Sequence, residues 1–216
     1  MNWDLFDKVY QEPYQEILAP GAVILHGFTL SMDRLILADL KKVIDVAPFR
    51  HMVTPGGYIM SVAMSNCGSL GWITDESGYR YESIDPLSGK SWPPMPHSLV
   101  ELAKSAALQA GFSHFIPDAC LINRYEPKSR LSLHQDKDEK DFAAPIVSVS
   151  LGIPAIFLFG GFKRSDKLQR LPLMHGDVVV WGGPARLRYH GILPLKENEH
   201  FLVGRYRLNL TFRKAG

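Results

Sequence analysis

Arg207-Leu208-Asn209-Leu210-Thr211-Phe212-Arg213 alternates polar and apolar side chains without a break. On an extended chain successive side chains point to opposite faces, so Arg207, Asn209, Thr211 and Arg213 share one face and Leu208, Leu210 and Phe212 the other. Working back from this stretch, residues 120–125, 130–136, 146–151, 155–159, 177–181, 189–193 and 202–212 all read as strands, separated by Pro and Gly punctuation. Many short strands imply a sandwich or a barrel. The expectation is a mostly β fold with flanking helices, a double-stranded β-helix (jelly-roll) that closes two facing sheets around a cavity.

Upstream the period changes. Residues 31–46 read as a helix with Ser31 as its N-cap, Leu35, Ile36, Leu40, Val43 and Ile44 at helical spacing, and Pro48 as the stop. Residues 96–110 read as a second helix, with Pro96 in the first turn, Leu99, Leu102, Ala103 and Ala106 on one face and Gly111 ending it. Both are expected as packing supports. Between them residues 49–95 are crowded with Gly, Ser, Pro, Tyr and Trp, as in Thr54-Pro55-Gly56-Gly57-Tyr58 and Gly78-Tyr79-Arg80-Tyr81. Short strands joined by turns fit this composition. It reads either as a hairpin-rich substrate lid whose aromatics stack a flat ligand, or as a small hairpin capping the core. The expected organisation is a single domain over 1–216, with N-terminal helices and lid at 19–111 and the jelly-roll core at 119–216.

Composition narrows the classes of function. With 46% hydrophobic and 21% charged residues the chain can bury a core and is not of the disordered type. No stretch approaches ~18 consecutive apolar residues, and residues 1–7 carry acidic residues instead of a basic leader, so neither a membrane span nor a secretory signal is expected. Cys67 and Cys120, far apart in sequence, are too few for a disulfide framework or a zinc ribbon, which points to a reducing, cytoplasmic compartment. A net charge of +2 does not suggest extended wrapping of a nucleic-acid duplex, so any nucleic-acid footprint should be short.

His134 and Asp136 stand two apart in a stretch of β character, so on a strand imidazole and carboxylate converge on one point. A His-x-Asp pair alone fits a solvated hairpin end equally well. Its context is Tyr189-His190-Gly191 in a later β run, where a His on the opposite sheet supplies a third ligand. Two His and one carboxylate leave three open positions on an octahedron, the arrangement of non-haem Fe(II) oxygenases, whereas zinc favours a closed tetrahedral site. His26, His51, His97, His114, His175 and His200 lack comparable neighbours and read as structural or surface residues. The polar face of the last strand is open to two readings, a solvated edge or a set of fixed cations for a dianionic cosubstrate inside the barrel. Arg offers a planar fork that binds a carboxylate at two points. Beside a His-x-Asp…His set, the strand reads as a 2-oxoglutarate clamp.

The strings Met52-Val53-Thr54-Pro55-Gly56-Gly57-Tyr58, Asn123-Arg124-Tyr125, Leu133-His134-Gln135-Asp136-Lys137-Asp138, His175-Gly176-Asp177-Val178-Val179-Val180-Trp181-Gly182-Gly183 and Arg207-x-Asn209-x-Thr211-x-Arg213 resemble the bacterial AlkB family of Fe(II)- and 2-oxoglutarate-dependent nucleic-acid dealkylases. The likeness runs from about Ala19 to the end of the chain. It implies that His134, Asp136 and His190 bind iron. It implies too that Arg207, with Asn123 and Tyr125, holds the distal carboxylate of 2-oxoglutarate while Arg213, with Asn209, steadies the keto-acid end. Trp72 would stack on a flipped base opposite His134, Asp138 would meet its exocyclic amino group, and Thr54, Tyr58, Tyr79, Gln135 and Arg164 would touch phosphate, sugar or base edge. Leu208 departs from the family pattern, which has a larger aromatic there, on the face away from the clamp.

The activity so implied is oxidative demethylation of N-alkylated bases such as 1-methyladenine and 3-methylcytosine, with O2 consumed and formaldehyde and succinate released. Single-stranded DNA is the expected substrate, with RNA as a second, and the enzyme is expected as a monomer with no membrane partner. Its rivals are a hydroxylase of the same chemistry acting on protein or small molecules, and a jelly-roll binding module without catalysis.

Overall fold

The computed structural model describes residues 13–216, so the expectation drawn from residues 1–7 lies outside the described residues. A hairpin of β1 (Tyr14–Ala19) and β2 (Ala22–His26) comes first, followed by α1 (Asp33–Val46), β3 (Arg50–Val53) and β4 (Ile59–Gly68). A second hairpin, β5 (Gly71–Asp75) and β6 (Gly78–Glu82), precedes α2 (His97–Gln109) and β7 (Ala119–Tyr125). The chain continues through β8 (Leu131–His134), β9 (Ile146–Gly152), β10 (Ala155–Phe159), β11 (Gln169–Leu173) and β12 (Val178–Trp181). After a 3-10 turn at Gly183–Ala185 it ends with β13 (His190–Ile192) and β14 (Arg207–Arg213).

Eight strands form a major sheet in the order β1-β2-β12-β9-β14-β7-β4-β3, four a minor sheet in the order β11-β10-β13-β8, and β5 and β6 pair only with each other. Alternation along the major-sheet strands builds two apolar layers. Val147, Val149, Val178, Val180, Leu210 and Phe212 pack with Ile36, Leu40 and Val43 of α1 and Leu99, Leu102 and Ala106 of α2. Ile146, Val179 and Trp181 turn the other way, toward Phe157, Phe159 and Ile192 of the minor sheet. The jelly-roll expectation holds: two facing sheets, with the helices as supports on the outer side of the larger one.

Several expected boundaries move. The first helix begins at Asp33 and is preceded by Met32, with no side-chain cap, while Ser31 lies in the preceding turn. Leu35, expected on its apolar face, is exposed, and Asp39 takes an inward place beside Ile36, Leu40 and Val43. The last strand begins at Arg207, not at residue 202, because the chain turns through Gly204 at φ +69° before it. Three strands were not foreseen. β1 and β2 are short, and β11 contains Pro172, which reads against a strand; β11 is an edge of the minor sheet, where a missing backbone donor is tolerated. β2, β3 and β4 all enter the major sheet, so that sheet draws on both the 19–111 and the 119–216 segments. Cys67 and Cys120, far apart in sequence, face each other across β4 and β7 as buried free thiols.

The spacing of the minor sheet depends on one glycine. A Cβ on Gly191 would lie 2.8 Å from the Leu131 carbonyl oxygen and 3.2 Å from the Leu133 nitrogen, backbone atoms that cannot step aside. That close approach brings β8 against β13 with His134 directly opposite His190. Gly191→Ala is therefore expected to cost about 1–3 kcal/mol of stability, read as a lower denaturant midpoint, and to weaken iron(II) binding by separating the two imidazoles.

Candidate active site

Four consecutive inward positions of β14 are polar, and all four are buried: Arg207, Asn209, Thr211 and Arg213. β14 lies between β9 and β7 in the middle of the major sheet, so the solvated-edge reading of this strand fails. The face looks onto a cavity of about 390 Å³ that also receives His134, Asp136 and His190.

His134 ends β8 and His190 begins β13, paired side by side in the minor sheet with ring centroids 4.3 Å apart. His190, the expected third ligand, is thus on the neighbouring strand of the same sheet and not on the opposite sheet. Asp136 lies just past the end of β8, where the chain has left the strand and turns its carboxylate back toward both rings. His134 Nδ1 is 2.8 Å from the Ser132 carbonyl and His190 Nδ1 is 3.1 Å from the Arg188 carbonyl. A carbonyl only accepts, so in each ring Nδ1 carries the hydrogen and Nε2 presents a free lone pair. The two Nε2 atoms stand 3.6 Å and 3.8 Å from the oxygens of Asp136, too long for hydrogen bonds. The three donor atoms lie within 4.8 Å of one another, a spacing suited to sharing one ion.

The charge states suit a metal. Burial, reinforced by the nearby His134, drives the His190 imidazolium pKa down to about 3, so this ring stays neutral and able to ligate. Burial works to raise the Asp136 carboxyl, but Arg213 and the two imidazoles outweigh it and hold the group well below the usual carboxylate range. Arg213 Nη2 and Nε donate to Asp136 Oδ2 at 2.7 Å and 3.1 Å, leaving Oδ1 toward His134. Two imidazoles and one carboxylate are the donor set of a three-ligand iron(II) site.

At the other end of the cavity Arg207 tells a different story. It is 1% exposed, yet only Nη2 has a hydrogen bond, to Ser150 Oγ at 2.9 Å; Nε and Nη1 find no partner among the described residues. Its guanidinium carbon lies 5.0 Å from the centroid of the Tyr125 ring, and the Asn123 Oδ1 close by is likewise unpartnered. A buried cation without an anion costs several kcal/mol, so this end is chemically matched to a carboxylate that arrives with a ligand. Burial already pulls the Arg207 pKa below its ordinary value. Asn209 is fully engaged within the protein, donating to Ser148 Oγ and the Val149 carbonyl and accepting from Asn123 and Thr211. Arg213 sits at the metal end.

The predicted substrate contacts divide. Trp72 and Tyr79, on the β5–β6 hairpin, stack with centroids 5.7 Å apart, and both line the cavity with Thr54, Gln135, Asp138 and Arg164. Asp138 accepts from Trp72 Nε1 at 3.0 Å. Tyr58 is not among the cavity-lining residues; it is 77% exposed on the turn between β3 and β4. Glu139 escaped the sequence reading because it lies in a run of charged residues, yet it is buried against Arg186 and Arg213.

A jelly-roll with a His-Asp-His set at one end of its cavity and a buried arginine at the other defines a class. The chain belongs to the 2OG-Fe(II) oxygenase superfamily, whose sequence pattern matches residues 21–213, and within it to the AlkB family. It is 61% identical over 213 residues to the alpha-ketoglutarate-dependent dioxygenase AlkB of Escherichia coli, covering 99% of this chain and 98% of that one. It is also similar to the nucleic acid dioxygenase ALKBH1 of Homo sapiens, 33% identical over 133 residues, 60% of this chain and 34% of that protein. Among solved structures OsALKBH1 matches with a TM-score of 0.80 at 28% identity, covering 93% of this chain and all of that one. The protein is a dioxygenase, and its cofactor set is Fe(II), 2-oxoglutarate and O2.

Replacing the unpartnered guanidinium tests the clamp. Arg207→Met should weaken 2-oxoglutarate binding about a hundredfold, since a charge-assisted pair contributes a few kcal/mol. Thermal stability without 2-oxoglutarate should not fall, because an uncompensated buried charge is removed. Calorimetric titration and a melting curve report the two effects; unchanged affinity would dismiss Arg207 as the carboxylate site.

Proposed function

We propose that the protein removes alkyl groups oxidatively from damaged bases in single-stranded DNA, with RNA as a second substrate, acting as a monomeric single-domain enzyme of the cytoplasm. The observation that carries this reading is the placement of the stacked Trp72–Tyr79 pair and the Asp138 carboxylate over the same cavity that holds the His134, Asp136 and His190 donors. Of the relatives named above, the human protein is a nucleic acid dioxygenase. No helix among the described residues is long and apolar enough to cross a membrane.

When bound, iron(II) with 2-oxoglutarate and O2 supplies the oxidation of an N-methyl carbon, which leaves as formaldehyde while the cosubstrate becomes succinate and carbon dioxide. The protein's own residues orient that chemistry. Ser132 and Arg188 carbonyls fix the imidazole tautomers, and Arg213 keeps Asp136 anionic. Arg207 would hold the distal carboxylate of 2-oxoglutarate. Trp72 offers an aromatic face on which an unstacked base lies, with His134 across the cavity. A methyl group on the Watson–Crick edge blocks pairing, so the damaged base is cheaper to extrude than an intact one. Asp138 accepts a hydrogen bond from an exocyclic amino group and favours a cationic base. A hydroxylase of protein or small molecules would need the metal end but gives no role to Trp72, Tyr79 and Asp138 together.

An anaerobic titration with iron(II) and 2-oxoglutarate, followed by O2 and a methylated oligonucleotide with mass detection, tests cofactor and substrate in one experiment. His134→Ala, Asp136→Ala and His190→Ala are each expected to abolish demethylation while circular dichroism stays close to wild type, because two remaining ligands do not hold iron productively. Near-normal turnover in any of them would remove that residue from the metal site.

Asp138→Asn should narrow the preference for methylated adenine and cytosine over methylated guanine and thymine. The effect is about 1–3 kcal/mol, the cost of leaving a polar group unpaired. Equal proportional losses on all four lesions, measured by competition between oligonucleotides, would place Asp138 outside the base pocket.

A further inference from the structure

Behind the cavity lies a buried ionic cluster that the reading above leaves without a task. Glu139, 6% exposed, is enclosed by donors from three separate parts of the chain. Arg186, in the turn after β12, donates from Nη2 to Oε2 at 2.9 Å; Tyr81 of β6 donates its hydroxyl to Oε1 at 2.6 Å; Arg213 Nε lies 3.2 Å from the same oxygen. Arg186 also donates to the backbone carbonyls of Asp136 at 2.7 Å and Ala144 at 3.2 Å, so it gathers the whole 136–144 loop around itself. Arg213 is shared between Glu139 and the metal ligand Asp136. Two carboxylates and two guanidiniums balance within this cluster, the condition under which buried charge is tolerated.

The hairpin over the cavity grips this loop at two points. Trp72 and Tyr81 are cross-strand partners on β5 and β6, and they donate to consecutive acidic residues, Trp72 to Asp138 and Tyr81 to Glu139. The two grips differ in kind. Asp138 is exposed and faces the cavity, so a base amino group competes for its oxygens; Glu139 has both oxygens engaged and lies inside the protein.

We infer that Glu139 is a positioning residue: the bond it takes from Tyr81 is the fixed latch that keeps the hairpin seated when Asp138 exchanges Trp72 for a base, and through Arg213 it ties that hairpin to Asp136. The inference rests on the reading of Trp72 and Asp138 as base contacts. Its consequence is a division of labour along one short loop, in which Asp136 serves the metal, Asp138 the base and Glu139 the lid.

Tyr81→Phe is the main test, since it keeps the ring and removes one hydrogen bond. In protein without oligonucleotide, amide hydrogen exchange across β5 and β6 should quicken about tenfold while exchange in β9 and β14 stays at the wild-type rate. In the loaded enzyme KM for a methylated oligonucleotide should rise about tenfold, with kcat and the 2-oxoglutarate dependence within about twofold. Glu139→Gln, which keeps the shape but loses the charge shared by Arg186 and Arg213, should quicken hairpin exchange and also weaken iron(II) binding, measured by anaerobic equilibrium dialysis. Wild-type hairpin exchange in Tyr81→Phe overturns the latch, and so does a fall in kcat at unchanged KM. Should the wild-type enzyme turn over no methylated oligonucleotide, the functional reading fails, yet the exchange experiment still decides whether the latch exists.

Discussion

β14 is hydrogen-bonded along both edges, to β7 and to β9, and its polar face is closed in by the second sheet. A face of Arg, Asn, Thr and Arg in that place must find partners inside the protein or acquire them with a ligand. Asn209 and Thr211 find theirs among Asn123, Ser148 and each other, and Arg213 finds two carboxylates. Among the described residues Arg207 has the Ser150 hydroxyl and the Tyr125 side chain beside it, and no carboxylate. The difference between these two arginines gives the cavity its polarity, charge-balanced beside the His-Asp-His donors and cationic at Arg207.

The same logic governs the ligands. Backbone carbonyls two residues upstream of each histidine hold the Nδ1 hydrogens, so both rings turn the same type of nitrogen to one point. Arg213 takes the oxygen of Asp136 that faces away from His134, which fixes the carboxylate plane and keeps it charged. An outer layer of hydrogen bonds of this kind is commonly needed to orient metal ligands. Here it also connects, through Glu139 and Arg186, to the loop that carries the cavity-lining Asp138.

The hairpin of β5 and β6 pairs with no other strand among the described residues, which leaves it tied to the body by side chains. Asn66 makes two bonds to the backbone of Trp72, Thr74 reaches the Val53 carbonyl, and Trp72 and Tyr81 reach the acidic loop. Ile73 of β5 adds an apolar anchor in the core, so the hairpin is held by packing as well as by polar contacts, two of them to the acidic loop beside the His-Asp-His donors. That arrangement relates the aromatic platform to the oxidising centre without a rigid sheet between them.

Local pattern was enough to read the strand alternation of residues 207–213 and, Leu35 aside, the apolar faces of both helices, because these depend on side-chain spacing within one element, which sequence states directly. The His-x-Asp pair and His190 were legible as residue types, although Asp136 lies beyond the end of its strand. Partnership was a different matter. His190 beside His134, instead of across from it, follows from the pairing of β13 with β8, a contact between residues far apart in the chain. Lys137-Asp138-Glu139-Lys140-Asp141 has the composition of a solvated turn, and nothing local marks its middle glutamate for burial; Arg186, Arg213 and Tyr81, distant in sequence, do so. Tyr58 shares a turn with Thr54, yet only Thr54 lines the cavity, and the Tyr58 side chain is exposed. The sequence by itself therefore determined which chemistry-bearing residues the protein has and on which face of each strand they lie. Tertiary structure alone decided which of their charges are paired and which is left for a ligand, because burial and ion pairing depend on the distance between elements and not on the order of residues within them.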